Sequence, residues 1–127
     1  MADSIQYQLW YEKARIDLNG AKILFKHDAD RGLVAFHCQQ AIEKQLKGWL
    51  LKTNGIIEEG HNLAYLYRIA IRLGAPLKEY QKDLAFVNQF YIETRYPSDT
   101  FEPVSDDEAA DCLDVAEKVL SVLSDKP

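Results

Sequence analysis

With 127 residues, 47% of them apolar and 28% charged, the chain is long enough to bury about two-thirds of its unfolded surface around one core spanning residues 1–127. Only six glycines and four prolines interrupt it, which excludes collagen-like, low-complexity and disordered classes. The formal charge of −5 is uneven: residues 1–97 carry 13 basic and 11 acidic side chains and residues 98–127 carry two and nine, so the chain lacks the broad positive field that duplex DNA binding uses, and any RNA contact needs a local patch.

Apolar residues recur at intervals of three and four, with no Asn-Gly or Asp-Gly hairpin turn and no period-two alternation, so the expected fold is all-α, a five-helix up-and-down bundle. The first helix is predicted from Ser4 to Lys26, with Trp10, Ala14, Leu18, Ala21 and Phe25 on one stripe and Ile5, Leu9, Ile16 and Ile23 on another. The second runs from Arg31 to Thr53 and stops at Gly55, a residue suited to a left-handed helix terminus. The third covers Asn62 to Leu73, with Leu63, Leu66, Ala70 and Leu73 facing inward and Gly74 to Pro76 ending it. The fourth covers Leu77 to Thr94, with Leu77, Tyr80, Leu84, Val87 and Tyr91 on one face and Phe86 with Phe90 on another, and meets Pro97. The last opens on the capping box Ser105-Asp106-Asp107-Glu108 and turns Ala109, Cys112, Ala116, Leu120 and Leu123 to the core. Helices one and four are apolar on two sides; either they occupy the bundle centre or a stripe forms a homodimer seam.

Apolar runs such as Gly48-Trp49-Leu50-Leu51 fall far short of the roughly 20 residues that cross a bilayer. Met1-Ala2-Asp3-Ser4-Ile5-Gln6 has no basic region followed by an apolar one, so a cytoplasmic protein without membrane partners is expected. Cys38 and Cys112 have neither metal-ligand spacing nor disulfide density and read as reduced core residues.

The second helix carries the most suggestive polar face. His37, Gln40, Lys44 and Lys47 are spaced three, four and three, so they line one side opposite Cys38, Ala41, Ile42, Leu46 and Trp49. Two lysines and a histidine offer fixed charge to a phosphate, and Gln40 offers donor and acceptor to a base edge or a backbone; otherwise the row is ordinary solvated surface. Arg95-Tyr96-Pro97 ends the fourth helix with a guanidinium beside a ring, able to clamp an anion or to pair with Glu93, Asp99 or the acidic last helix. His61, at the entry to the third helix, either caps and packs or serves chemistry. No Gly-rich phosphate loop, zinc motif or nucleophile elbow is present, and Asp106, Asp107 and Asp111 suit the helix dipole, so neither cofactor nor metal is expected.

The segment Ala35-Phe36-His37-Cys38-Gln39-Gln40-Ala41-Ile42-Glu43-Lys44-Gln45-Leu46-Lys47 resembles the second-helix signature of the HEPN domain. Trp10 with Ala14 and Asp17-Leu18 resembles its first helix, Gly60-His61-Asn62-Leu63 its entry to the third, and Arg95-Tyr96-Pro97 the end of its fourth. The resemblance implies a helical bundle that commonly dimerises, found in prokaryotes beside minimal nucleotidyltransferases in toxin–antitoxin modules and implicated in nucleotide binding. It also implies, for many members, metal-independent RNA cleavage by an Arg followed after four to six residues by a His. Here the matching positions after Arg95 are Thr100, Phe101 and Glu102, so that motif is absent. Arg31 and His37 have the spacing in the wrong place, and six residues amount to about 600° of helix, which leaves the two side chains roughly 120° apart.

The expectation is therefore a non-catalytic or nucleotide-responsive HEPN domain, a nucleotide-binding or protein-interaction module working as a homodimer with a nucleotidyltransferase partner; a nucleotide, if bound, is held by His37, Gln40, Lys44, Lys47, Arg95 and Tyr96. The alternatives are a ribonuclease toxin in which His37 or His61 moves the proton and Arg95 meets the phosphate, and a helical adaptor with no small ligand.

Overall fold

The three-and-four spacing of apolar residues makes every regular element helical. The computed structural model describes residues 2–93 and 102–125, and among these there are no strands. Helix α1 spans Ala2–Lys26, α2 Arg31–Asn54 and α3 Leu63–Arg72. A 3-10 turn at Lys78–Tyr80 leads into α4 (Gln81–Asn88) and α5 (Phe90–Glu93), and α6 covers Asp106–Val122. The bundle is all-α. Among the described residues no helix is long and apolar enough to cross a membrane.

Local chemistry sets the helix ends. The Asp30 carboxylate accepts from the Leu33 N–H at 3.0 Å and starts α2, and Gly55, at φ 75°, stops it by donating its N–H to the Leu51 carbonyl. Asn62 caps α3 through the N–H groups of Ala64 and Tyr65. Ser105 and Glu108 satisfy each other's backbone N–H at 3.1 and 3.0 Å, which is the capping box read from the sequence.

The bundle centre is α2. It packs against α1, α3, α4, α5 and α6, and 14 of its 24 residues are buried, so it has no broad solvated face. Ala14, Leu18 and Ala21 of α1 pack on it, with Leu63, Leu66, Leu84, Val87, Ala109, Cys112, Ala116, Leu120 and Leu123 completing one core. Where α1 crosses α2 the chain needs glycine: a Cβ on Gly48 would stand 2.8 Å from the Tyr11 ring and 2.9 Å from the Trp10 Cβ. Cys38 and Cys112 are free and buried, and burial pushes the Cys112 thiol up to about 12, so both stay protonated.

Three expectations need correction. The fourth helix is not continuous from Leu77: it opens as a 3-10 turn and breaks at Gln89, beside Asn88, whose side chain accepts from the Leu63 N–H and donates to the Asn62 carboxamide. Phe90, three residues after buried Val87, turns into the core at 3% exposure instead of lining a second face. Leu73 is 39% exposed because it follows the last turn of α3, where Gly74 at φ 94° reverses the chain. Finally, α1 is not central, so its second stripe stays uncovered: Leu9, Ile16 and Ile23 are 53, 55 and 52% exposed.

Candidate functional site

Because α2 is central, its polar row lies half-buried against α1 and the α3 entry rather than in open solvent. The row divides between two carboxylates. On the α1 side, Asp17 accepts from the Lys44 ammonium at 2.5 Å and lies 3.5 Å from His37 Nδ1. On the α3 side, Glu43 takes the Lys47 ammonium at 3.2 Å and the His61 Nδ1–H at 3.0 Å from both of its oxygens. Gln39 and Gln40 also donate their amides to Glu43, at 3.4 and 3.3 Å. Gln40 donates in addition to the Gln39 carbonyl at 2.7 Å, and Gln39 donates to the His61 backbone carbonyl at 2.9 Å, tying α2 to the loop before α3.

Burial grades this network. The Glu43 and Lys47 side chains are 4 and 7% exposed, so that pair is inside the protein, where removing one member strands the other's charge. His37, Lys44 and His61 form its solvent-facing edge. Aromatic rings frame it: Tyr91 lies 4.5 Å from the His61 ring, Phe36 stands edge-on to both Tyr91 and His37, and the Lys47 ammonium lies 5.8 Å from the Trp10 ring.

His37 and Lys44 thus gather at Asp17, and Gln40 and Lys47 at Glu43, two clusters along the one side of α2 that their spacing predicts. Each lysine already faces a carboxylate, so a phosphate would have to compete with Asp17 and Glu43 for them. Arg95 and Tyr96 lie outside the described residues, as do Thr100 and Phe101. The sequence reading left out Asp17, Glu43 and Gln39 as partners. The one legible signal was Glu43 four residues before Lys47, the spacing of a helical ion pair; Asp17 meets Lys44 only through the tertiary fold.

Arg31 is held elsewhere. Its guanidinium donates to Asp106 at 2.7 Å and to the Phe25 and Ala29 carbonyls, and stacks over the Phe25 ring, which fixes the start of α2 to the ends of α1 and α6. None of these partners bonds His37, in keeping with the angular separation of the two side chains. Among the described residues no group of His, Cys, Asp or Glu side chains could hold a metal ion.

The comparisons with known proteins agree with this architecture. The family model of the HEPN domain matches residues 7–126. A Methanocaldococcus jannaschii protein named "Putative toxin MJ1304" is 30% identical over 139 aligned positions, covering 96% of this chain and 89% of that protein. The crystal structure of TT1696 from Thermus thermophilus superposes with a TM-score of 0.77 at 26% identity, covering 93% of this chain and 95% of the other. The fold is shared too with ST0689, described as an archaeal HEPN homologue, at a TM-score of 0.72 and 24% identity, covering 92% of this chain and 93% of that one.

Proposed function

The chain belongs to the HEPN domain family, and from that premise we propose that it is a non-catalytic interaction module of toxin–antitoxin type, self-associating through α1 and engaging a nucleotidyltransferase partner in the cytoplasm. The toxin name of the Methanocaldococcus jannaschii relative supports the setting. The observation that carries the reading is the uncovered stripe of α1. Leu9, Ile16 and Ile23 are seven residues apart, each more than half exposed, on the side of the helix away from Ala14 and Ala21. Period seven keeps a stripe in line along a partner helix, which is what a seam between two copies requires. Ile16→Glu places a charge at its centre, and we expect a monomer with unchanged helical circular dichroism. A variant that still dimerises overturns this seam.

The polar network supports the non-catalytic part. His37 and His61 each face a carboxylate, and the position family members use for the catalytic histidine holds none. A ribonuclease reading would have to bring Arg95 to one of these histidines.

A second reading, nucleotide response, draws on the solvent-facing edge of the network, where His37, Lys44 and the His61–Tyr91 ring pair stand together with Gln40 behind them. Cations for phosphate, an amide for a base edge and a ring for stacking are the components such a ligand needs. ATP or GTP at about 100 times its dissociation constant should then add roughly 2.7 kcal/mol to stability. Lys44→Ala and Arg95→Ala are expected to remove that increment; a nucleotide response that survives both refutes the placement.

A further inference from the structure

A cavity of about 570 Å³ lies between α1 and α6, away from the polar network, with Gln45 of α2 lining it. One buried polar atom there lacks a protein partner, and an unpaired carboxamide lines the same cavity. The Tyr11 hydroxyl is buried with no hydrogen bond, in a side chain that is 5% exposed. Gln45 is 2% exposed, and no hydrogen bond joins its carboxamide to the described residues. A buried polar group left unpaired is costly, so the Tyr11 hydroxyl and the unpaired Gln45 carboxamide at one cavity mark a place where something other than the protein completes the bonding.

The charges around the cavity narrow what that is. Glu117 is held by Lys22 at 2.6 Å, and Asp125 by Lys52 and by the Tyr7 hydroxyl, so both acids are already neutralised. Arg15 lines the same cavity, is exposed, and pairs with no carboxylate among the described residues. Arg15 is therefore the cation of the lining that no carboxylate already holds. Leu18, Leu120 and the Tyr11 ring supply apolar wall suited to a flat body, and the volume lies within the roughly 300–1,000 Å³ of small-molecule sites. The Gln45 carboxamide presents one acceptor and a donor NH₂, the complement of a planar amide edge, while burial first, and then the nearby Asp125, holds the Tyr11 phenol protonated as a further donor.

We infer that the α1–α6 cavity is a binding site for a small planar lactam or amide that carries an acidic group, its amide edge on Gln45 and Tyr11 and its anion on Arg15. This site is independent of the seam and of the polar network.

Orotate, a planar lactam with a carboxylate, is the probe; benzoate lacks the lactam and uracil lacks the acid. Titration followed by calorimetry and by the Gln45 side-chain amide resonance of the labelled protein should show orotate binding at least tenfold tighter than either control. Gln45→Leu should abolish it, and Arg15→Ala should weaken it at least tenfold. Gln45→Leu removes an amide that bonds no described protein group, so its ligand-free unfolding midpoint should stay unchanged or rise, which separates lost binding from lost fold. Equal binding of benzoate, binding retained in Gln45→Leu, or no response to any probe, the cavity then holding ordered water only, each overturns the proposal.

Discussion

Replacing Glu43 by alanine is expected to lower stability by about 3–5 kcal/mol, one of the largest effects of any single change in this chain. The carboxylate side chain is 4% exposed and neutralises Lys47, itself 7% exposed, so its loss strands a buried ammonium. The amides of Gln39 and Gln40 and the His61 Nδ1–H lose their common acceptor at the same time. Urea unfolding at neutral pH measures the loss. Lys47→Met in the same background should restore much of it, because a pair replaced by apolar groups no longer leaves a charge uncompensated. A single-variant loss below about 1 kcal/mol, the range of exposed pairs, would mean that Lys47 reaches water and that the network is not a lock between α2 and α3.

Gly48→Ala tests the other structural claim through the sign of its effect. On helix propensity alone the change should stabilise by up to about 1 kcal/mol, since alanine is the better helix former. The α1–α2 contact demands the opposite, because the new Cβ would stand 2.8 Å from the Tyr11 ring and 2.9 Å from the Trp10 Cβ. Neither neighbour is the loose end of a flexible chain, so α1 has to move outward, and overpacking of this kind costs about 1–3 kcal/mol. Thermal unfolding should therefore give a lower midpoint than the parent. A rise would show that α1 lies farther from α2.

The helix boundaries were legible because their causes are local. Gly55 ends α2 and the Ser105–Glu108 box opens α6 through bonds within four residues of each other. The core stripe of α6 was equally readable, since Ala109, Cys112, Ala116, Leu120 and Leu123 follow a single helical period. The break at Gln89 was not, because its neighbour Asn88 bonds across 25 and 26 residues to Leu63 and Asn62. The same holds at the candidate site. Spacing brought His37, Gln40, Lys44 and Lys47 together on α2, but a helical wheel does not say that this helix sits in the middle of the bundle. Centrality turned a row of open cations into members of ion pairs, half-buried with Asp17 and buried with Glu43. Helical period also drew both stripes of α1, and only packing tells which one the core leaves uncovered.

That uncovered stripe bears the weight of the proposed function, and sedimentation velocity of the wild-type protein over a dilution series tests it most directly. A protein whose α1 faces pair should sediment as a dimer at micromolar concentration and move toward monomer on dilution, with Ile16→Glu monomeric throughout. A wild-type protein that is strictly monomeric at micromolar concentration would contradict the account.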